Sequence, residues 1–258
     1  MWVVNIHGSV TDSSGTVLRL ASSGATLGIY RAGSAVGNWP LAIAFDGANM
    51  WVVNLGVDAV AKLSPGGVTL GSYPVGNGPD GIAFDGTNLW VTNSGDNTVT
   101  ELSPVGVTLG TFAVGTSPSA IAFDGTNMWV ANSLDDTVTE LSPSGATLGT
   151  YTVGVYPSAI AFDGTSVWVT GSNANNVTKL SLSGAALGTY SVGVHPGGIA
   201  FDGTNLWVTN SGDNTVTELS PAGATLGTYP VGNGPTAIAF DGTSMWIVNG
   251  QGNTVTKL

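Results

Sequence analysis

Apolar residues along this chain come in short runs, often alternating with Thr or Ser, and each run ends in Gly, Asn, Asp, Ser or Pro. That is the two-residue period of strands bounded by turns. No segment has both the length and the three-to-four-residue apolar spacing of an amphipathic helix. Residues 196–234 show one full cycle. GIAF (198–201) predicts a strand A, and Asp202-Gly203 a hairpin turn, because that dipeptide tolerates positive φ. LWVTN (206–210) predicts strand B, SGDN (211–214) a turn, and TVTELS (215–220) strand C. Pro221-Ala222-Gly223 then turns the chain into strand D, ATLGTYPV (224–231).

The cycle repeats along the whole chain. IAFDG begins at Ile43, Ile82, Ile121, Ile160, Ile199 and Ile238, each 39 residues after the last. Trp51, Trp90, Trp129, Trp168, Trp207 and Trp246 keep the same step, while Trp2 lies 49 residues before Trp51 because its unit carries ten extra residues. One 23-residue stretch, IAFDGTNLWVTNSGDNTVTELSP, stands unchanged at 82–104 and 199–221. Four strands in about 40 residues is the signature of a β-propeller blade. The expected fold class is therefore all-β, a β-propeller of four-stranded 39-residue blades forming a single domain over residues 1–258. A lone four-stranded sheet cannot cover both faces, so blades pack face to face, with the recurring Trp and Phe between them.

Strand A occurs six times, B seven, C seven and D six. Six blades result if the first strand D completes the blade begun by the last A, B and C. That closure leaves residues 1–24 over, including Trp2 and Val4. Seven blades result if the first lacks strand A and the last lacks strand D, with the chain starting at an internal Met of a longer propeller. Seven is the expectation.

Charge narrows the functional classes. Net charge is −11, and the five basic residues, Arg19, Arg31, Lys62, Lys179 and Lys257, are scattered. Phosphate recognition needs clustered Lys and Arg, so a nucleic-acid partner or an anionic membrane surface is not expected. No apolar run reaches the roughly 18 residues of a membrane-spanning helix. MWVVNIHGSV lacks the basic start of a secretory signal. With no Cys, a disulfide framework and a thiolate metal site are both excluded.

The pattern GPxxIAFDGTNLWVTNSGDNTVTELS resembles the NHL and YVTN-type bacterial propellers. It also resembles the streptogramin (virginiamycin B) lyase family, whose units run roughly GPxGITxGxDGxLWFTExxxNxIGRI. The resemblance covers essentially the whole chain and implies the propeller fold. In that family a lactone ring is opened with Mg²⁺ and histidines on loops entering strand A, the key His directly following the loop proline. The matching positions here are Leu41, Asp80, Ser119, Ser158, Gly197 and Thr236, none of them His. The acidic residue that starts many lyase B–C turns is Asn in most units here, as at Asn93 and Asn210. The resemblance therefore extends to the fold and lacks the catalytic histidine pattern.

Where the units differ, a shared scaffold has been individualised. Just before the proline of the D–A loop stand Trp39, Gly78, Ser117, Tyr156, His195 and Gly234. The B–C turn reads IHGSVTDSSG, LGVD, SGDN, SLDD, SNAN, SGDN and GQGN. Both variable sets belong to one edge of the blades. The candidate ligand-binding residues are Trp39, Asp80, Tyr156 and His195, with His7 and Asp12 from the long first B–C loop. Aromatic rings, an imidazole and a carboxylate suit a sugar or an apolar ligand. No catalytic residue is assigned, and no cofactor or metal is expected: two histidines on different blades fall short of the three ligands of a catalytic zinc site. The Asp of IAFDG reads as a turn aspartate rather than a calcium ligand. Asp135-Asp136 reads as a solvated turn. The strand C column Arg19, Lys62, Glu101, Glu140, Lys179, Glu218, Lys257 reads as an outward, solubilising face.

The leading functional expectation is a non-enzymatic binding or scaffold module with a protein or carbohydrate partner, outside the cell or on its surface. It is expected to be a monomer, with strand exchange between chains open where a missing inner strand leaves an unpaired edge. The alternatives are a lyase- or lactonase-like enzyme using His195 or His7, and a duplicated or engineered repeat scaffold with no specific ligand.

Overall fold

The computed structural model describes residues 1–5, 15–31 and 39–258, in which the repeat appears as 26 strands and one 3-10 turn, Leu55–Val57. The unit read above becomes Pro196–Phe201, Leu206–Asn210, Thr215–Leu219 and Thr225–Pro230. Strand A thus starts at the proline, two residues before GIAF. Proline has no N–H to give the ladder, and the pairing register shifts between Pro196 and Ile199.

The strands pair in the order A-B-C-D into seven antiparallel sheets, and the fold is a seven-bladed β-propeller. Sheets 2 to 6, over residues 40–74, 79–113, 118–152, 157–191 and 196–230, are four-stranded. Sheet 1 holds strands B, C and D: Trp2–Asn5, Thr16–Leu20 and Thr26–Arg31. Sheet 7 holds A, B and C: Pro235–Phe240, Met245–Asn249 and Thr254–Lys257. The first strand D pairs with the first strand C, Thr16 opposite Arg31, so the six-bladed alternative does not form.

Contacts group the chain into two compact units. In the first, residues 1–126 with 143–146, Val17 meets Met50, Val52 and Leu63 between sheets 1 and 2. Between sheets 2 and 3, Trp51, Val53 and Val60 meet Leu89, Val91 and Leu102, with Tyr73 and Phe84 at the margin. The second unit, residues 127–142 with 147–258, repeats the arrangement: Trp129 and Val138 against Val167, Val169 and Leu180, then Trp168 and Val177 against Leu206 and Val208. Trp51, Trp90, Trp129 and Trp168 are all 0 % exposed. Burying about 200 Å² of indole stabilises by roughly 5 kcal/mol before the entropy cost of ordering the chain.

The IAFDG aspartate explains its own recurrence. In sheet 3, Asp85 Oδ1 accepts from the backbone N–H groups of Thr87 and Asn88, both at 2.7 Å, closing the A–B hairpin. Its Oδ2 accepts from Trp90 Nε1 at 2.7 Å. The same tripod recurs at Asp46, Asp163, Asp202 and Asp241, with the indole N–H again 2.7 Å away. One carboxylate fixes a turn and satisfies a buried indole. Gly203, at φ 93, supplies the left-handed residue that the turn requires.

The strand C column is not a solvent face. Glu101 and Glu140 are buried, at 7 % and 4 % exposure, because the column lies over the tryptophan of its own sheet. Where it is Lys or Arg, the cation sits on that ring: Lys62 Nζ is 5.0 Å from the Trp51 centroid and Lys179 Nζ 4.8 Å from that of Trp168. The same ammonium groups donate to the next sheet's C–D turn, Lys62 to Pro104 O at 2.7 Å and Lys179 to Pro221 O at 2.6 Å. Where the column is Glu, it accepts instead: Glu101 Oε1 from Asn88 Nδ2, and Glu218 Oε1 from Asn205 Nδ2. Among the described residues no helix is long and apolar enough to cross a membrane.

Candidate functional site

The D–A loops are built on a left-handed residue. The position before the proline has φ 38° at Trp39, 65° at Gly78, 54° at Ser117, 57° at Tyr156, 52° at His195 and 61° at Gly234. Two of the six are glycine, which takes this conformation freely. Tyr156 and His195 hold it where the backbone around them is fastened on both sides.

The first fastening comes from the preceding sheet. The last residue of its B–C turn, itself left-handed, accepts from the N–H of the loop residue. Asp58 Oδ1 takes Gly78 N at 2.9 Å, and Asn97 Oδ1 takes Ser117 N at 2.9 Å. In the second unit Asp136 takes Tyr156 N at 2.8 Å, Asn175 takes His195 N at 2.9 Å and Asn214 takes Gly234 N at 2.8 Å. The second fastening is the next B–C turn, which donates to the loop carbonyl: Leu55 N to Trp39 O, Ser94 N to Gly78 O, Ser172 N to Tyr156 O and Ser211 N to His195 O. The loops at Gly78, Tyr156, His195 and Gly234 are therefore each gripped between two B–C turns, and the two variable sets of the sequence are neighbours.

Trp39 is 50 % and Tyr156 42 % exposed, and His195 is exposed as well. Tyr156 and His195 occupy the same position in consecutive loops of the second unit. In the first unit Trp39 holds that position, with Asp80 on strand A of the next sheet. Among the described residues, no hydrogen bond or ring contact joins any two of these four. His7 and Asp12 lie outside the described residues.

Asp80, in strand Pro79–Phe84, differs from its equivalents. It is half-buried, and burial pushes its carboxyl up to about 6. Asp46, Asp163, Asp202 and Asp241 go the other way. Burial alone would raise Asp202, but hydrogen bonds from Asn205 N, Trp207 and Thr204 N outweigh it and hold the carboxyl below its usual range. Asp80 thus keeps its proton to a higher pH than Asp202 does. Among the described residues no cluster of three or more His, Cys, Asp or Glu could hold a metal ion.

The latch residues Asp58, Asn97, Asp136, Asn175 and Asn214 were not singled out from the sequence. Their signal was present: the last letter of LGVD, SGDN, SLDD and SNAN is always Asp or Asn, the residue types that best tolerate a left-handed backbone. Asp136, read as part of a solvated turn, is one of these latches.

No family model and no curated protein matches the chain. Solved structures do. A streptogramin B lyase is similar with a TM-score of 0.84 at 17 % identity, over 99 % of this chain and 92 % of that one. The fold is that of the virginiamycin B lyase-like propellers. A catalytically inactive virginiamycin B lyase from Staphylococcus aureus, solved with quinupristin, gives a TM-score of 0.82 at 18 % identity, over 94 % of this chain and 87 % of that one. BamB from Moraxella catarrhalis gives 0.68 at 15 % identity, over 95 % and 78 % of the two chains. At such identities the likeness is one of fold. Within the lyase-like propeller the position after the loop proline is filled by Leu41, Asp80, Ser119, Ser158, Gly197 and Thr236.

Proposed function

We propose that this chain is a non-enzymatic binding module whose D–A and B–C loops present Trp39, Tyr156, His195 and Asp80 to a ligand, with a carbohydrate as the first candidate. One observation carries the reading. Trp39, Tyr156 and His195 stand exposed at left-handed positions that Gly78 and Gly234 fill in other units. A bulky residue there costs about 1–2 kcal/mol of backbone strain, while Trp39 and Tyr156 stay 50 % and 42 % exposed. A side chain kept against the preference of the fold is a side chain used for something else. Exposed aromatic faces with an imidazole and few cations suit stacking on a sugar ring. The long first B–C loop with His7 and Asp12 belongs to the same reading. The low Lys content, absence of Cys and abundance of Ser, Thr, Asn and Gly support a place outside the cell or at its surface.

The test is a glycan array probed with the labelled protein and with the variant Trp39→Gly/Tyr156→Gly/His195→Gly. The reading expects glycans retained by the unsubstituted protein and released by the variant, with unfolding midpoints matched. Equal signals from both proteins across the array would contradict it.

A lyase- or lactonase-like enzyme with His195 or His7 as general base is the second reading. The Asp80 carboxyl near neutrality and the fold shared with lyases favour it. It requires turnover of a lactone that His195→Ala abolishes without unfolding the chain. The third reading, a repeat scaffold with no specific ligand, requires loop residues that are exchangeable between units without consequence.

A further inference from the structure

We infer that Asn77-Gly78 is a self-modification site, at which the chain turns the Asn77 amide into an acid through a cyclic imide, with the Asp58 carboxylate as base. The chain holds three Asn-Gly pairs, at 77–78, 233–234 and 249–250. In such a pair the glycine nitrogen can attack the preceding side-chain carbonyl, because glycine carries no Cβ to obstruct the approach. Asn249 is unsuited to this chemistry. It is 0 % exposed, and its Nδ2 donates to Thr254 Oγ1 at 3.1 Å and to Thr256 Oγ1 at 2.9 Å.

The other two pairs form a matched comparison within one chain. Both lie in D–A loops of the same local sequence, Val-Gly-Asn-Gly-Pro, at 75–79 and 231–235. Gly78 has φ 65° and Gly234 φ 61°. Each glycine carbonyl accepts from the B–C turn that follows, Gly78 O from Ser94 N and Gly234 O from Gly250 N, both at 2.8 Å. Asn77 and Asn233 are both exposed, and neither side-chain amide makes a hydrogen bond among the described residues. The difference lies in the latch on the attacking nitrogen. Gly78 N–H donates to a carboxylate, Asp58 Oδ1 at 2.9 Å, whereas Gly234 N–H donates to an amide, Asn214 Oδ1 at 2.8 Å. A carboxylate can take the proton of the attacking nitrogen, and an amide oxygen cannot.

Gly78 N gives its proton to Asp58 and bonds to Asn77 Cγ. The tetrahedral carbon then expels Nδ2 as ammonia, which carries off the proton that Asp58 returns. Water opens the imide at either carbonyl and leaves aspartate or isoaspartate in place of Asn77. One water is consumed and one ammonia released, and nothing is oxidised or reduced. The new carboxylate stands beside Asp96, whose Oδ2 accepts from Asn77 N at 2.6 Å. The isoaspartate form also lengthens by one carbon a backbone that is held by Gly95 N on Asn77 O at 3.0 Å.

The experiment incubates the folded 258-residue chain at neutral pH and follows amide-to-acid conversion at Asn77 and Asn233 by peptide mapping with mass spectrometry. Asn77 is expected to convert at least about tenfold faster than Asn233. In denaturant the two rates are expected to converge, because the local sequence is shared. Asp58→Asn keeps a latch acceptor and is expected to slow Asn77 to the rate of Asn233, with the unfolding midpoint matched. Asn214→Asp is expected to speed Asn233 to the rate of Asn77. No conversion at Asn77, a rate there no faster than at Asn233, or a difference that persists in denaturant would overturn the inference. So would a rate at Asn77 unchanged by Asp58→Asn, since the latch would then be a holder of the backbone and nothing more.

Discussion

Two columns of this chain recur at the same 39-residue step and behave in opposite ways. At the IAFDG column both the letters and the contacts repeat, because Asp85, Asp163 and Asp202 each close a turn and hold an indole. At the D–A column the backbone repeats while the letters do not: φ stays between 38° and 65° whether the residue is Trp, Gly, Ser, Tyr or His. The first column is fixed by construction of the sheet. The second is constructed equally firmly, but from neighbouring latches, which frees its side chain for a different use. Repetition of geometry without repetition of side chain is the mark of a position whose chemistry the fold does not need.

That contrast is broken most severely at the first column. Trp90→Ala removes a fully buried indole together with its bond to Asp85, and a loss of about 3–5 kcal/mol is expected in denaturant unfolding. Asp163→Ala frees the Trp168 indole and two turn N–H groups and is expected to cost about 2 kcal/mol. The Asp46 and Asp163 carboxyls sit below their usual range in the folded chain, so they stabilise it above the unfolded carboxylate value near 4. That contribution is lost as pH falls through the lower folded values. Unfolding midpoints measured from pH 6 down to pH 2 should fall steeply in the unsubstituted protein and less steeply in Asp163→Ala.

The latches come next. Asn175→Ala removes the acceptor of His195 N–H and puts Ala at φ 54°, and about 1.5 kcal/mol of destabilisation is expected. Asp80 has the opposite sign from the structural aspartates. Its folded value of about 6 lies above the unfolded one, so the folded chain loses stability as pH rises from about 4 to about 6. Because the carboxyl is partly open to solvent, Asp80→Asn is expected to stabilise by only about 1 kcal/mol at pH 8 and by nothing at pH 4. Equal effects at both pH values would show that Asp80 carries no burial penalty.

Much of the fold was legible because a propeller writes its architecture as a period. The strand order, the seven sheets and the two incomplete ones follow from counting runs such as IAF, LWVTN and TVTEL. What the count missed has a physical cause in each case. Glu101 looked solvent-facing because alternation along strand C assigns a face without saying what lies over it, and only packing reveals Trp90 and Asn88 beneath. The D–A position was visible as variable, but its left-handed backbone was hidden, since Trp39 and Tyr156 are residues that ordinarily avoid it. The latch aspartates and asparagines bond across sheets, at a separation of 20 residues that no local turn rule covers.

Tyr156 and His195 are held at left-handed positions against the preference of the fold. The most direct measurement is urea unfolding of Tyr156→Gly/His195→Gly beside the unsubstituted chain. Relief of strain set against the larger unfolded-state entropy of glycine predicts a variant between equally stable and about 1 kcal/mol more stable. A variant less stable by about 2 kcal/mol or more would show instead that these side chains hold the fold together.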